Sequence, residues 1–355
     1  MMTSALAGLT VLDLSSGPAG ALTTMILSAF GADVPRYEDP VHGALNASPA
    51  SPMLSRGKRS SRIPVHDAVR DADIVVITRP HGFSGCGYEE LERINPTLVY
   101  CEISADASGA DIPLYEGVVA AMAGRMKSLE GILPEPGPIF PAVQVATHAT
   151  AQNAVSGILA AVYERNRSGR GQRVATSLLH GLMPYDQGAI LGLQIRERRE
   201  SAPPLPDPFS IMPTLNYHPV QCADGKWLQL GNLLPHLFAS FMKVIGLEAL
   251  MEKLPDERET VRDEILRTMQ TRTRDEWMQL FIEDGGVAAH AYQTPEEALD
   301  DPDLVDNGHV IELDGIRQLG PLARLAGTPA VVGLKEKQRA WPDVARACID
   351  GPDHP

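Results

Sequence analysis

The chain has 355 residues and a mass of 38.3 kDa, long for a single hydrophobic core, so two domains are the expectation. A formal net charge of -14 at pH 7 makes most of its surface repel phosphate; no nucleic-acid or anionic-membrane partner is expected, and any anionic ligand must be held by a local basic patch. The four cysteines (Cys86, Cys101, Cys222 and Cys348) lack metal-ligand spacing, and neither a secretory leader nor a bilayer-length apolar run is present, so the expectation is a soluble cytoplasmic protein with reduced thiols and no metal.

Residues 9–14, LTVLDL, are predicted as a strand, Ser15, Ser16, Gly17 and Pro18 as a turn, and residues 19–30 as a helix, the opening of a doubly wound α/β unit. The turn is not a GxGxxG fingerprint, and no P-loop pattern occurs in the chain. Gly31 ends the helix, and residues 32–38 are predicted as a second strand carrying Arg36. Residues 40–52, rich in Ala, Ser, Pro and Gly, read as a surface loop leading to Arg56, Gly57, Lys58 and Arg59. This is the densest positive cluster of the first half, and composition alone favours a solvated loop charge over a phosphate cradle. A further repeat follows, with a strand at 73–78, a turn at Arg79 and Pro80, a helix at 88–94 and a strand at 98–103. Such alternation predicts a mostly parallel sheet covered by helices on both faces.

Residues 113–131 are predicted to be helical, entered through Tyr115 and Glu116, and a connection marked by Pro134, Pro136 and Pro138 leads to the stretch around which the chain is organised. There, Ala151, Ala154, Val155, Ile158, Leu159 and Val162 recur at the spacing of one buried helix face. Thr147 and Thr150 are candidates to cap its start, and Arg165, Arg167 and Gly169 suit its end. The N–H groups at Ala146, Thr147 and His148 would then face an anion or a developing oxyanion. A strand at 172–177 and a helix at 178–193 follow, and residues 196–208, charged and proline-rich, read as a linker. The second half predicts a small α+β domain: a hairpin of 217–222 and 226–230 across Ala223, Asp224 and Gly225, then helices at 234–245, 259–269 and 274–283. Thr273 and Glu276 stand in capping-box spacing before the last of these. Past Val310 the chain reads as loop and short strands with turns at Gly320, Pro321, Gly327 and Pro329.

Seven segments in order carry a resemblance: LAGLTVLDLSSGPAG, ILSAFGADVPRYEDP, RGKRS, the RP of ITRP with GYEELERINPTLVYCEIS, GILAAVYERNRSGRGQRV, CADGKWLQLG, and RDEWMQLFIEDGGVAAHAYQTPEEALDDP. The chain resembles the family III CoA-transferases and their relatives the α-methylacyl-CoA racemases, the CaiB/BaiF type. That resemblance implies an α/β protein with a Rossmann-like large domain built from both ends of the chain (1–200, with 311–355 returning to it) and a smaller α+β domain inserted at 201–310. It implies an interlocked dimer, coenzyme A or acyl-CoA as the ligand at the domain boundary, and no metal, nicotinamide or flavin. The residues resembling the CoA contacts are Ser16, Gly17 and Pro18 at the first turn, Arg36, and Arg56, Lys58 and Arg59, which favours the cradle over the solvated cluster.

The pattern departs at its centre. Transferases of the family carry a nucleophilic aspartate before the central helix, and counting back from GILAAVYER puts that position at Thr147, whose hydroxyl is essentially un-ionised without an adjacent base. The histidine of the racemases corresponds to about Tyr115, expected to serve in packing. A rebuilt catalytic site would draw on Glu116, Thr147 and His148. Thr147 is better suited to a cap or oxyanion donor than to a nucleophile; His148 reads equally as a general base or a helix-start residue, and Glu116 as a solvated helix-start carboxylate more than a catalyst. Asn232 and His236 are further candidates to reach an acyl group, though a helix start explains them as well. The expected function is CoA-thioester transfer or isomerisation with an altered site. The alternative is a silent CoA-binding subunit paired with an aspartate-bearing homologue. The short loop ADASGADIP after Ser104 points away from a fully equipped formyl-type transferase.

Overall fold

A computed structural model describes residues 4–39, 51–108, 112–124, 143–186, 194 and 215–333. Residues 40–50 of the loop predicted at 40–52, most of the connection before the central helix, the linker at 196–208 and residues 334–355 lie outside them, while Ser51 and Pro52 open a short helix, Ser51–Ser55. The chain divides into one unit of Met1–Leu191 with Val305–Pro355 and a second of Gly192–Leu304.

The first unit is built on six parallel strands, β1 (Val11–Leu14), β2 (Val34–Arg36), β3 (Lys58–Ser60), β4 (Ile74–Thr78), β5 (Val99–Ser104) and β6 (Gln172–Ser177), in the order β3-β2-β1-β4-β5-β6. Side chains alternate across the sheet, so each strand feeds two cores. Val11, Ile74, Val76, Val99, Cys101 and Ile103 lie in one, with Leu27, Ala154 and Ile158 from helices; Leu12, Leu14, Val75, Ile77 and Tyr100 lie in the other, with Val69 and Leu91. Both faces are covered, which is why the strands read as nearly continuous apolar runs.

Helix α1 (Pro18–Ala29) follows β1, α4 (Tyr88–Ile94) follows β4, and α5 (Glu116–Met122) follows β5. The central helix α6 (Val145–Ser168) is 24 residues long and stops at Gly169, whose φ of 73° suits the left-handed cap and whose N–H donates to the Arg165 carbonyl. Alanines on its buried side allow close packing on α1, where Ala151 meets Ala21, Leu22, Met25 and Ile26. Arg165 closes the contact with the sheet through an ion pair to Asp73 at 2.9 Å.

Two expectations are corrected. RGKRS is not a loop: its last three residues are the edge strand β3, paired with β2 through Val34↔Lys58, Pro35↔Arg59 and Arg36↔Ser60. The second strand is also shorter than residues 32–38, with Asp33 making only an isolated bridge to Thr10. The first unit also includes the antiparallel hairpin β10 (Val310–Leu313) and β11 (Ile316–Leu319).

The second unit holds an antiparallel sheet of β7 (Pro219–Gln221), β8 (Trp227–Leu230) and β9 (Ala289–Ala291). Helices Pro235–Val244, Arg258–Met269 and Arg274–Asp284 bury Phe238, Phe241, Val261, Ile265, Trp277 and Phe281 with Val220, Leu228 and Leu230 of the sheet. The Thr273 and Glu276 capping box forms as its spacing predicts. Among the described residues no helix is long and apolar enough to cross a membrane.

Candidate functional site at the carboxyl edge of the parallel sheet

In open α/β sheets the ligand crevice lies outside the carboxyl ends of the strands where the strand order reverses, here between β1 and β4. The turn of Ser15, Ser16 and Gly17 stands at that point. Ser16 is held from β4: its N–H donates to Thr78 Oγ1 at 2.9 Å, and the two hydroxyls lie 2.9 Å apart. Gly17 precedes α1 with extended backbone, and Pro18 takes the first helical position, where its missing N–H costs nothing. Gly20 allows the turn to sit down on the helix. A Cβ there would lie 2.4 Å from Ser15 Cβ and 2.9 Å from its Oγ. Gly20→Ala is therefore expected to lower stability by about 1–3 kcal/mol, measured by thermal or denaturant unfolding.

The cations of the candidate cradle divide sharply. Arg36, at the end of β2, donates through Nη1 to Ser55 Oγ at 2.8 Å, and its Nε is buried with no hydrogen-bond partner among the described residues. Lys58 is buried in an ion pair with Asp13 at 2.8 Å, so its charge is compensated inside the fold. Arg59 forks onto Asp33, with Nε to Oδ1 at 3.0 Å and Nη2 to Oδ2 at 2.7 Å. Arg56 is buried and donates to the carbonyls of Leu319 and Gly320, clasping the C-terminal hairpin to the sheet edge. Of these four, Arg36 alone has no carboxylate or main-chain carbonyl contact among the described residues.

At the start of α6 the expected capping is overturned. The helix begins at Val145, which makes Thr147 its third residue and puts Thr150 a full turn inside, where its hydroxyl donates to the Ser177 carbonyl at 3.0 Å. The cap comes from Glu116 on α5. Its Oε1 accepts the Ala146 N–H and its Oε2 the Thr147 N–H, each at 2.9 Å. The His148 N–H donates to the Gln144 carbonyl, so the three amides predicted to face a ligand are all engaged. The negative charge attracted to this helix end is the protein's own. Thr147 is 6% exposed, His148 is exposed, and Tyr115, expected to pack, is 68% exposed. Asn232 is buried in the second unit and accepts the Ala288 N–H through Oδ1 at 2.8 Å, while His236 is exposed near the start of its helix. Sequence reading passed over Asp13, Ser15 and Thr78; the lone acid in LTVLDL is the signal that marks the first.

A six-stranded parallel sheet covered by helices on both faces, with an ordered turn at its switch point, defines an open α/β protein. The comparisons narrow this. The profile of CoA-transferase family III matches residues 6–342, and the chain belongs to that family. It is 26% identical to the succinyl-CoA–D-citramalate CoA-transferase of Chloroflexus aurantiacus over 91% of this chain and 88% of that one. It is 33% identical to the formyl-CoA:oxalate CoA-transferase of Streptomyces avermitilis, but over only 51% of this chain and 50% of that one. In structure it is similar to Rv3272 of Mycobacterium tuberculosis, with a TM-score of 0.74 at 22% identity, covering 94% of this chain and 97% of that one. A CaiB/BaiF family protein from Brucella suis gives a TM-score of 0.73 at 22% identity, covering 93% and 94%.

Proposed function

We propose that this protein binds coenzyme A or an acyl-CoA at the carboxyl edge of the parallel sheet and acts in CoA-thioester transfer or isomerisation through an altered active site. The turn of Ser16, Gly17 and Pro18 and the Arg36 guanidinium, whose buried Nε has no partner among the described residues, are the groups that support CoA binding. Arg56 and Lys58 support the site from inside the fold, and Arg59 from its half-exposed pair with Asp33. The observation that carries the altered chemistry is Glu116: its carboxylate is fixed 2.9 Å from the backbone N of Thr147, the residue that counting back from GILAAVYER sets at the family's aspartate position. Glu116 is the carboxylate of this site, Thr147 a hydroxyl donor beside it, and His148 an exposed base on the same turn. The protein is cytoplasmic and works as an interlocked homodimer or with a homologous subunit.

The test is turnover of succinyl-CoA and other acyl-CoAs with carboxylic acid acceptors. Glu116→Gln is expected to lower kcat about 100-fold while CoA affinity stays within about twofold. An unchanged kcat sinks the rebuilt site, as does an unchanged rate in Thr147→Ala combined with His148→Ala.

One observation favours the second reading, a silent CoA-binding subunit. Both oxygens of Glu116 are occupied by helix amides, which withdraws charge from the group a nucleophile would need. In that case the pure chain binds CoA without turnover, and adding an aspartate-bearing homologue restores it.

A further inference from the structure

Ser16 is tied to β4, but what shapes the residue before it lies deeper in the sheet. Asp13 stands on β1 one residue before its end, on the same face as Val11, and is fully buried. Its Oδ1 accepts both the backbone N–H and the hydroxyl of Ser15, at 3.1 and 2.6 Å, which curls the chain back over the strand end. Its Oδ2 accepts the Thr24 hydroxyl at 2.8 Å and the Lys58 ammonium at 2.8 Å. Lys58 reaches across from β3, two strands away, and spends a second donor on the Ala21 carbonyl of α1 at 2.9 Å.

A carboxylate in this position needs a cation to remain ionised, and only an ionised Asp13 offers acceptors on both oxygens to four donors at once. We infer that Lys58 and Asp13 are positioning residues: Lys58 keeps Asp13 in the form that holds Ser15, and Ser15 presents the turn to the ligand, so that Lys58 acts on binding through the turn and never by touching a phosphate. This rests on the acyl-CoA reading of that turn.

Calorimetry with CoA on the whole chain tests it, using wild type, Ser15→Ala, Lys58→Met and the double variant. Ser15→Ala keeps the ion pair and is expected to lower CoA affinity about tenfold with little change in melting temperature. Lys58→Met is expected to lower affinity at least about tenfold, and Ser15→Ala to add less than about twofold in that background, because the two act through one chain of contacts. Full additivity, or wild-type affinity in Ser15→Ala, overturns the inference. Should wild type bind no CoA, the acyl-CoA reading falls, and amide hydrogen exchange on the same four proteins decides the positioning separately. The Ser16 amide, which donates to Thr78, should exchange about tenfold faster in each single variant and no faster still in the double. Unchanged exchange in the single variants refutes it.

Discussion

Thr147→Asp is expected to raise acyl release from an acyl-CoA by about 100-fold over wild type, equivalent to roughly 2.7 kcal/mol of barrier. Thr147 is the third residue of a 24-residue helix, so a carboxylate there is favoured by the positive helix end and supplies the nucleophile that a hydroxyl without a base cannot. A carboxylate oxygen attacks the thioester carbonyl, the C–S bond breaks, CoA leaves as thiolate, and the acyl group remains as a mixed anhydride that hydroxylamine traps as a hydroxamate. Glu116 complicates the substitution. Its Oε2 accepts the Thr147 N–H at 2.9 Å, so a second carboxylate on residue 147 would meet like-charge repulsion from it. Thr147→Asp with Glu116→Gln should therefore exceed the single variant in rate at neutral pH. A variant that still binds CoA but yields neither free thiol nor hydroxamate would show that position 147 is not the family's nucleophile slot.

Lys58→Met is expected to destabilise the protein by about 3–5 kcal/mol at pH 7, because it strands a buried carboxylate. The pair is shielded from solvent, with side-chain exposures of 2% for Lys58 and 0% for Asp13. Asp13→Asn in the same background removes the orphaned charge and should recover more than half of the loss. The pH dependence fixes the sign. Burial by itself would raise the Asp13 carboxyl, but the Lys58 ammonium and the hydrogen bonds from Lys58 and Ser15 outweigh it and hold the group below its ordinary value of 3.8. In wild type this stabilisation is complete above pH 3.8 and is lost as pH falls through the lower folded value. Without Lys58 the burial effect is opposed only by the Ser15 hydrogen bonds and the Arg36 charge, the folded carboxyl moves upward, and the penalty shrinks as the group takes up its proton. The stability gap between the two proteins, read from urea unfolding, should thus be wider at pH 7 than near pH 4. A gap that widens on acidification would mean that Asp13 is not the charge left behind.

Much of the fold was legible because local rules decided it. The strands at β1, β4 and β5 show as short apolar runs, α6 shows its buried face at helical spacing, and Gly169 and the Thr273 and Glu276 pair mark ends that depend on residues a few positions apart. The contacts that the candidate site residues make were not legible. Lys58 and Arg59 looked like one cationic patch, yet on a strand their side chains leave by opposite faces, which puts Lys58 into the core and leaves Arg59 to the half-exposed Asp33. Glu116 looked like a solvated carboxylate because the two amides that bind it are 30 and 31 residues further on.

The sequence by itself determined the α/β class and the family through seven ordered segments, since each depends on residue identity and short-range periodicity. The tertiary structure alone decided which charges are spent and which remain. The partners of Lys58, Arg56 and Glu116 lie 45, 263 and 30 residues away, and which of them satisfies a buried charge depends on strand order and helix placement that no local pattern encodes.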